Sequence, residues 1–158
     1  MVTPDRREPR ELTYRNQIVR LLIDLQAAQG VSRTRGIGRY TRELALAMAR
    51  DPRGHEVIVA LNSAMPCADL VASFRCILPQ SQIMLWRGPR NVPGDGQANG
   101  ARAAGQMLRA RAFVAMRPDV IHVGSVIEGF RDDVISNWPP DLARLPAVAT
   151  CYDLIPLI

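Results

Sequence analysis

Four groups of residues have the types and spacing to do chemistry. Gly36-Ile37-Gly38-Arg39 opens a stretch with helical periodicity. Glycines let a backbone come close to a ligand, and a helix amino end offers unpaired N–H groups with a positive dipole end. With Arg33 and Arg35 alongside, these residues make a seat for phosphate, the lesser alternative being that the glycines only permit a tight turn. Asp24 closes the first apolar run and is followed by Gln26 and Gln29. Its carboxylate could accept a hydrogen bond from a sugar hydroxyl or from backbone amides of the loop. His122 lies in a later apolar run, with Ser125 and Glu128 just beyond. A lone strand histidine is more often a satisfied core residue than a catalyst, whereas Glu128 in a Glu-Gly-Phe turn is expected to face a cleft. Tyr152-Asp153 follows the last apolar run. A phenol that donates and accepts, next to a carboxylate that accepts, suits a sugar; Asp153 could instead cap the turn before Pro156.

Several alternatives find no support. Thr41 stands where the dinucleotide fingerprint GxGxxG needs its third glycine, and the loop before Gly36 is longer than that motif allows, so NAD is disfavoured. There is no HxxxH, DxD or cysteine pair for a metal, and the other histidine, His55, falls in a turn. No metal or other cofactor is expected. A GxSxG elbow and a P-loop are also missing.

The elements that must position these residues follow from periodicity. Short apolar runs over 19–25, 56–61, 82–86, 119–123 and 147–151 read as strands buried in a parallel sheet. Helices are expected over 36–50, with Ile37, Tyr40, Leu44, Ala47 and Met48 as its apolar stripe, over 68–77, over 101–117 and, briefly, over 129–137. Asp51-Pro52-Arg53-Gly54 and Pro118 mark helix stops. Strands alternating with helices predict an α/β fold, a Rossmann-like parallel sheet with helices on both faces, in which ligands bind beyond the carboxyl ends of the strands. Residues 1–17 are expected to form a flexible arm and 18–158 one domain, with no closing helix after the last strand.

Composition bounds the rest. The 158 residues carry a formal net charge of +5, and every basic side chain except the two histidines is arginine, which pairs bidentately with phosphate and carboxylate. Aromatic residues are only 5% and are not interleaved with arginine, so nucleic-acid binding is not expected. Three cysteines without a CxxC spacing fit a reducing compartment better than a disulfide framework. No apolar run approaches the ~20 residues of a membrane span, and a cytoplasmic protein, with contact to the inner membrane face as an option, is expected. For that contact, helix 101–117 would turn Arg102, Arg109 and Arg117 toward anionic lipid; packing on the sheet with its arginines in water is the preferred reading.

Taken in order, Leu22-Ile23-Asp24-Leu25-Gln26, Arg35-Gly36-Ile37-Gly38-Arg39-Tyr40-Thr41, Glu56-Val57, Pro118 to Val123, Glu128-Gly129-Phe130 and Tyr152 to Leu157 resemble the N-terminal half of family 4 glycosyltransferases of the GT-B fold, the bacterial mannosyltransferase-type members most of all. The resemblance covers about residues 19–158. It implies retaining transfer of a sugar, mannose by likeness alone, from a nucleotide-diphosphate donor to a glycan or lipid-linked acceptor, without a metal. Gly36, Ile37, Gly38 and Arg39 would meet the donor phosphates, and Asp24, His122, Glu128, Tyr152 and Asp153 a sugar or acceptor. It also implies a missing C-terminal domain with the EX7E glutamates, so that the chain is truncated and inactive alone. Many members carry a histidine where this chain has Tyr152, which leaves hydrogen bonding possible but puts proton transfer there in doubt. The alternative is a non-catalytic half-domain that binds a glycan or a protein.

Overall fold

A computed structural model describes residues 17–92, 100–138, 142 and 144–152. The arm expected over 1–17, apart from Gln17, and Asp153 lie outside the described residues.

The strands β1 (Arg20–Asp24), β2 (Glu56–Asn62), β3 (Ile83–Trp86), β4 (Val120–Val123) and β5 (Ala147–Ala149) form one parallel sheet in the order β3-β2-β1-β4-β5. Side chains alternate across a strand, so β1, β2 and β3 feed two cores, whereas β5, expected to be buried, is exposed throughout as the edge strand. Leu22, Ile58, Ala60, Ile121 and Val123 point to one face and meet Ala110 and Phe113 of helix α3 (Gly100–Ala115). Ile23, Val57, Val59 and Leu61 point to the other and meet helices α1 (Gly36–Arg50) and α2 (Ala68–Arg75). Each fully buried aliphatic side chain contributes roughly 1.5–3 kcal/mol relative to exposure. The α/β, Rossmann-like sheet with helices on both faces is therefore as the periodicity predicts.

Three local expectations are corrected. The buried side of α1 is not the stripe of larger apolar residues. Gly38, Thr41, Ala45, Leu46 and Ala49 are buried, whereas Tyr40 and Ala47 are exposed and Ile37, Leu44 and Met48 are half-buried. Small residues at three- and four-residue spacing bring this helix close to the sheet, Leu46 fills the core beside them, and the residues of the expected stripe flank the contact. Helix α3 ends at Ala115, ahead of the expected Arg117, because the residue before Pro118 is disfavoured in the helical region; Arg117 has a φ of 49°. No helix forms over 129–137. Gly129 takes a φ of 100°, and the carboxylates of Asp132 and Asp133 accept backbone N–H groups that include Val31 and Val92 of other loops, both at 2.7 Å. Side chains of this kind compete with helical hydrogen bonds.

No helix of the described residues is long and apolar enough to cross a membrane. Helix α3 packs on the sheet as preferred, but Arg102 and Arg109 are neither turned to lipid nor left in water. Arg109 is fully buried, and Arg102 donates to the carbonyls of Val92 (2.8 Å), Gly129 (3.3 Å) and Val134 (3.0 Å). The exposed side of α3 instead carries Met107, Leu108 and Val114.

Candidate functional site

In this strand order, β1 is flanked by β2 on one side and β4 on the other, so successive connections diverge to opposite faces beyond β1 and β4. The crevice at their carboxyl ends is where ligands bind in open sheets of this kind. The amino end of α1 opens into it. Arg35, the residue before the helix, is extended and makes no side-chain cap. The amides of Gly36 and Ile37 find no acceptor among the described residues. Gly36 is exposed, and a Cβ placed on it would meet nothing within 4 Å. Arg33, Arg35 and Arg39 are exposed around this end. Two free amides, a positive dipole end and three guanidiniums can hold a dianion.

Gly38 has a different task from Gly36. A Cβ on Gly38 would run into the backbone of Ser32 and Arg33, and its amide donates to the Ser32 carbonyl at 3.2 Å. It folds the 30–35 loop against the helix. The close approach of helix to strand is made by another pair. A Cβ on Gly124, just beyond β4, would lie 2.5 Å from Cγ2 of Thr41. Thr41 also hydrogen-bonds through its hydroxyl to the Tyr152 phenol at 3.0 Å.

Tyr152 and Glu128 complete one wall. The Tyr152 phenol donates to the Ile37 carbonyl at 3.3 Å, and its ring meets Tyr40 edge-on with centroids 5.5 Å apart. Burial raises its pKa, and the hydrogen bond with Thr41 works the other way. Glu128 is half-buried beside Ser32, Arg35 and Asp132. Burial pushes its carboxyl above the ordinary 4.5, Asp132 adds to the rise, and the Ser32 hydrogen bond and Arg35 oppose it. A carboxylate so placed accepts readily from a sugar hydroxyl.

Asp24 and His122 sit deeper. The Asp24 carboxylate accepts from Arg109 Nη2 at 2.7 Å and Nε at 3.0 Å, and from the Gln26 backbone at 3.2 Å and side chain at 3.1 Å. The loop-amide role is thus present, joined by a buried ion pair. His122 is buried, with Nε2 at 3.2 Å from the Thr150 hydroxyl and Nδ1 without a partner. Desolvation lowers its pKa below the ordinary 6.5, against an opposing pull from Asp24. A depressed folded-state pKa means that stability is fully present above 6.5 and is lost as pH falls below it. Urea denaturation between pH 8 and pH 5 should show this loss in the wild type and a shallower slope in His122→Phe. Equal slopes would mean that His122 does not carry it.

Sequence reasoning did not single out Ser32, Gly124 or Arg109 for the site. Ser32 and Gly124 carry no motif, and Arg109 looked like one of many surface arginines. Beside the α1 amino end, a cleft of about 520 Å³ is lined by Gln29, Gly30, Arg33, Asn91 and Arg131, among others. Among the described residues, no group of three or more His, Cys, Asp or Glu side chains could hold a metal.

The chain is similar to known proteins over most of its length. It is 30% identical over 146 residues to the serotype-specific mannosyltransferase WbdA of Escherichia coli, an alignment that covers 87% of this chain and 17% of that protein. Two further WbdA sequences of Escherichia coli are 27% identical over 112 residues, covering 66% of this chain and 13% of each. The chain thus spans under a fifth of the length of the curated relatives it matches. No family model matches it, and no solved structure does. The likeness to bacterial mannosyltransferases agrees with the resemblance drawn from the motifs.

Proposed function

We propose that this chain is the acceptor-side, N-terminal domain of a retaining glycosyltransferase of family 4 with GT-B architecture. It works with a second domain that holds the nucleotide and the EX7E glutamates, and it is inactive alone. The donor is a nucleotide-diphosphate sugar, mannose by the likeness to WbdA, and the acceptor is a glycan or a lipid-linked glycan. The observation that carries the reading is the uncapped amino end of α1, open at Gly36 and Ile37 and walled by Glu128 and Tyr152.

In this reading the Gly36 and Ile37 amides receive the donor phosphates. Arg33, Arg35 and Arg39 offset the charge that builds on the leaving diphosphate, an electrostatic contribution made before the bond breaks. Glu128 and Tyr152 orient sugar hydroxyls. The cleft of about 520 Å³ lined by Gln29, Arg33, Asn91 and Arg131 takes the acceptor, with Arg33 shared between cleft and phosphate seat. No metal is required in this scheme. The protein works in the cytoplasm, where nucleotide sugars are available, and reaches a lipid-linked acceptor at the inner membrane face.

The test is transfer from nucleoside-diphosphate mannose to a lipid-linked glycan acceptor. The polypeptide containing this chain and the downstream domain should transfer, and the 158-residue chain should not. Arg35→Ala in the longer polypeptide should lower kcat/KM by about tenfold or more, the scale of one charge-assisted contact. Transfer by the short chain alone would overturn the two-domain reading, and an Arg35→Ala enzyme with unchanged kcat/KM would overturn the assignment of the phosphate seat.

A further inference from the structure

Asp24 and Gln26, at the carboxyl end of β1, reach the Glu128 turn through a continuous set of side-chain contacts. The Asp24 carboxylate binds both the Gln26 amide and the Arg109 guanidinium. Gln26 in turn pairs with the main chain of Ile135 as another strand would. Its Nε2 donates to the Ile135 carbonyl at 3.1 Å, and its Oε1 accepts from the Ile135 amide at 3.0 Å. Arg109 donates to the Asn137 carbonyl at 2.9 Å, two residues on. Between them, the Ser136 hydroxyl donates to the Glu128 carbonyl at 2.8 Å. Gly129 closes the link from the other side, since a Cβ on it would strike the Val134 carbonyl, and Arg102 bonds the carbonyls of both residues.

We infer that Asp24, Gln26, Arg109 and Ser136 are positioning residues, which hold the extended 134–137 segment as a bracket and through it fix Glu128 over the amino end of α1. The main chain of Ile135 and Asn137 is gripped from one side by buried side chains, two residues apart. The residue between them is left to grip Glu128. A helix over 129–137 would spend these main-chain groups on itself and release the turn. Glu128 faces Ser32 and Arg35 of the loop before α1, Asp132 of its own segment and Tyr152 after β5, so its height decides which of them it meets. That Glu128 then touches a ligand rests on the proposed function; that it is held in place does not.

Ser136→Ala cuts the last link without stranding the buried Arg109 charge, and Ser136→Thr keeps the hydroxyl. The readout is the pH titration of the Glu128 carboxyl by carbon-detected NMR in the full chain, with Glu128→Gln to assign the resonance. In Ser136→Ala the titration should move back toward the ordinary glutamate value, as the freed turn admits water, and Ser136→Thr should restore it. A Ser136→Ala titration identical to wild type in a folded chain would overturn the positioning role. Transfer by the longer polypeptide separates the two ideas. A moved titration with kcat/KM reduced several-fold supports both. A moved titration with unchanged kcat/KM supports positioning and removes Glu128 from the ligand site.

Discussion

Asp24→Ala is expected to destabilise the chain by about 3–5 kcal/mol, the cost of leaving a buried charge without its partner. Arg109 is fully buried, lies 4.8 Å over the Phe113 ring and 5.7 Å from the Trp138 ring, and has the Asp24 carboxylate as its ion-pair partner. Neither ring offers compensation comparable to a carboxylate, and a cation over an aromatic face is worth ~0.5–2 kcal/mol. The second half of the test is the double replacement Asp24→Leu with Arg109→Met. Removing both charges with similar volume is often neutral or stabilising in other proteins, so the double variant should recover most of the loss. Urea denaturation followed by circular dichroism reads both. A single-variant cost below about 1 kcal/mol, the range of exposed ion pairs, would mean that water reaches the pair.

Gly38→Ala and Gly36→Ala should separate fold from binding within the three residues Gly36-Ile37-Gly38. At Gly38 the new methyl meets the backbone of Ser32 and Arg33, which cannot swing aside as a flexible side chain would. Overpacking of this sort typically costs about 1–3 kcal/mol, and here the helix start would also shift. Gly36→Ala adds a methyl to open space and replaces a flexible residue inside a helix, so thermal stability should hold or rise slightly. The same methyl stands where a phosphate would approach the Gly36 and Ile37 amides. Donor affinity, measured as KM for nucleoside-diphosphate mannose in the longer polypeptide, should weaken by about tenfold. Loss of stability in Gly36→Ala, or a stable Gly38→Ala chain with weakened donor binding, would reverse the two assignments.

The sheet was legible because each strand is a short aliphatic run and each helix is bounded by glycine or proline. Val57 to Leu61 could hardly be anything but a strand buried on both faces. The α1 stripe was misread for a physical reason. Sequence patterns weigh apolar bulk, which favours Tyr40 and Leu44, while the contact is made by the small residues Gly38, Thr41, Ala45 and Ala49 together with Leu46. The segment 129–137 was misread because its conformation is decided by groups far away in sequence, Gln26 and Arg109, which no local window contains. The same distance hid the role of Arg109. Of the site residues, Gly36, Ile37, Glu128 and Tyr152 come together at the α1 amino end as their positions after strands suggested. His122 and Asp24 lie behind them, where burial rather than motif sets their behaviour.

Thr41 stands where a dinucleotide-binding chain would place its third glycine, and Gly124 lies opposite it. The helix and the strand end must touch at one point, and the space there fits one side chain, not two. What is fixed is a sum of two volumes; which partner gives way is free. A signature written along one stretch of sequence records only one term of that sum. Chains that moved the vacancy to the other partner keep the geometry and escape the signature, and a search over residue pairs brought together by the fold, rather than over adjacent letters, would recover them.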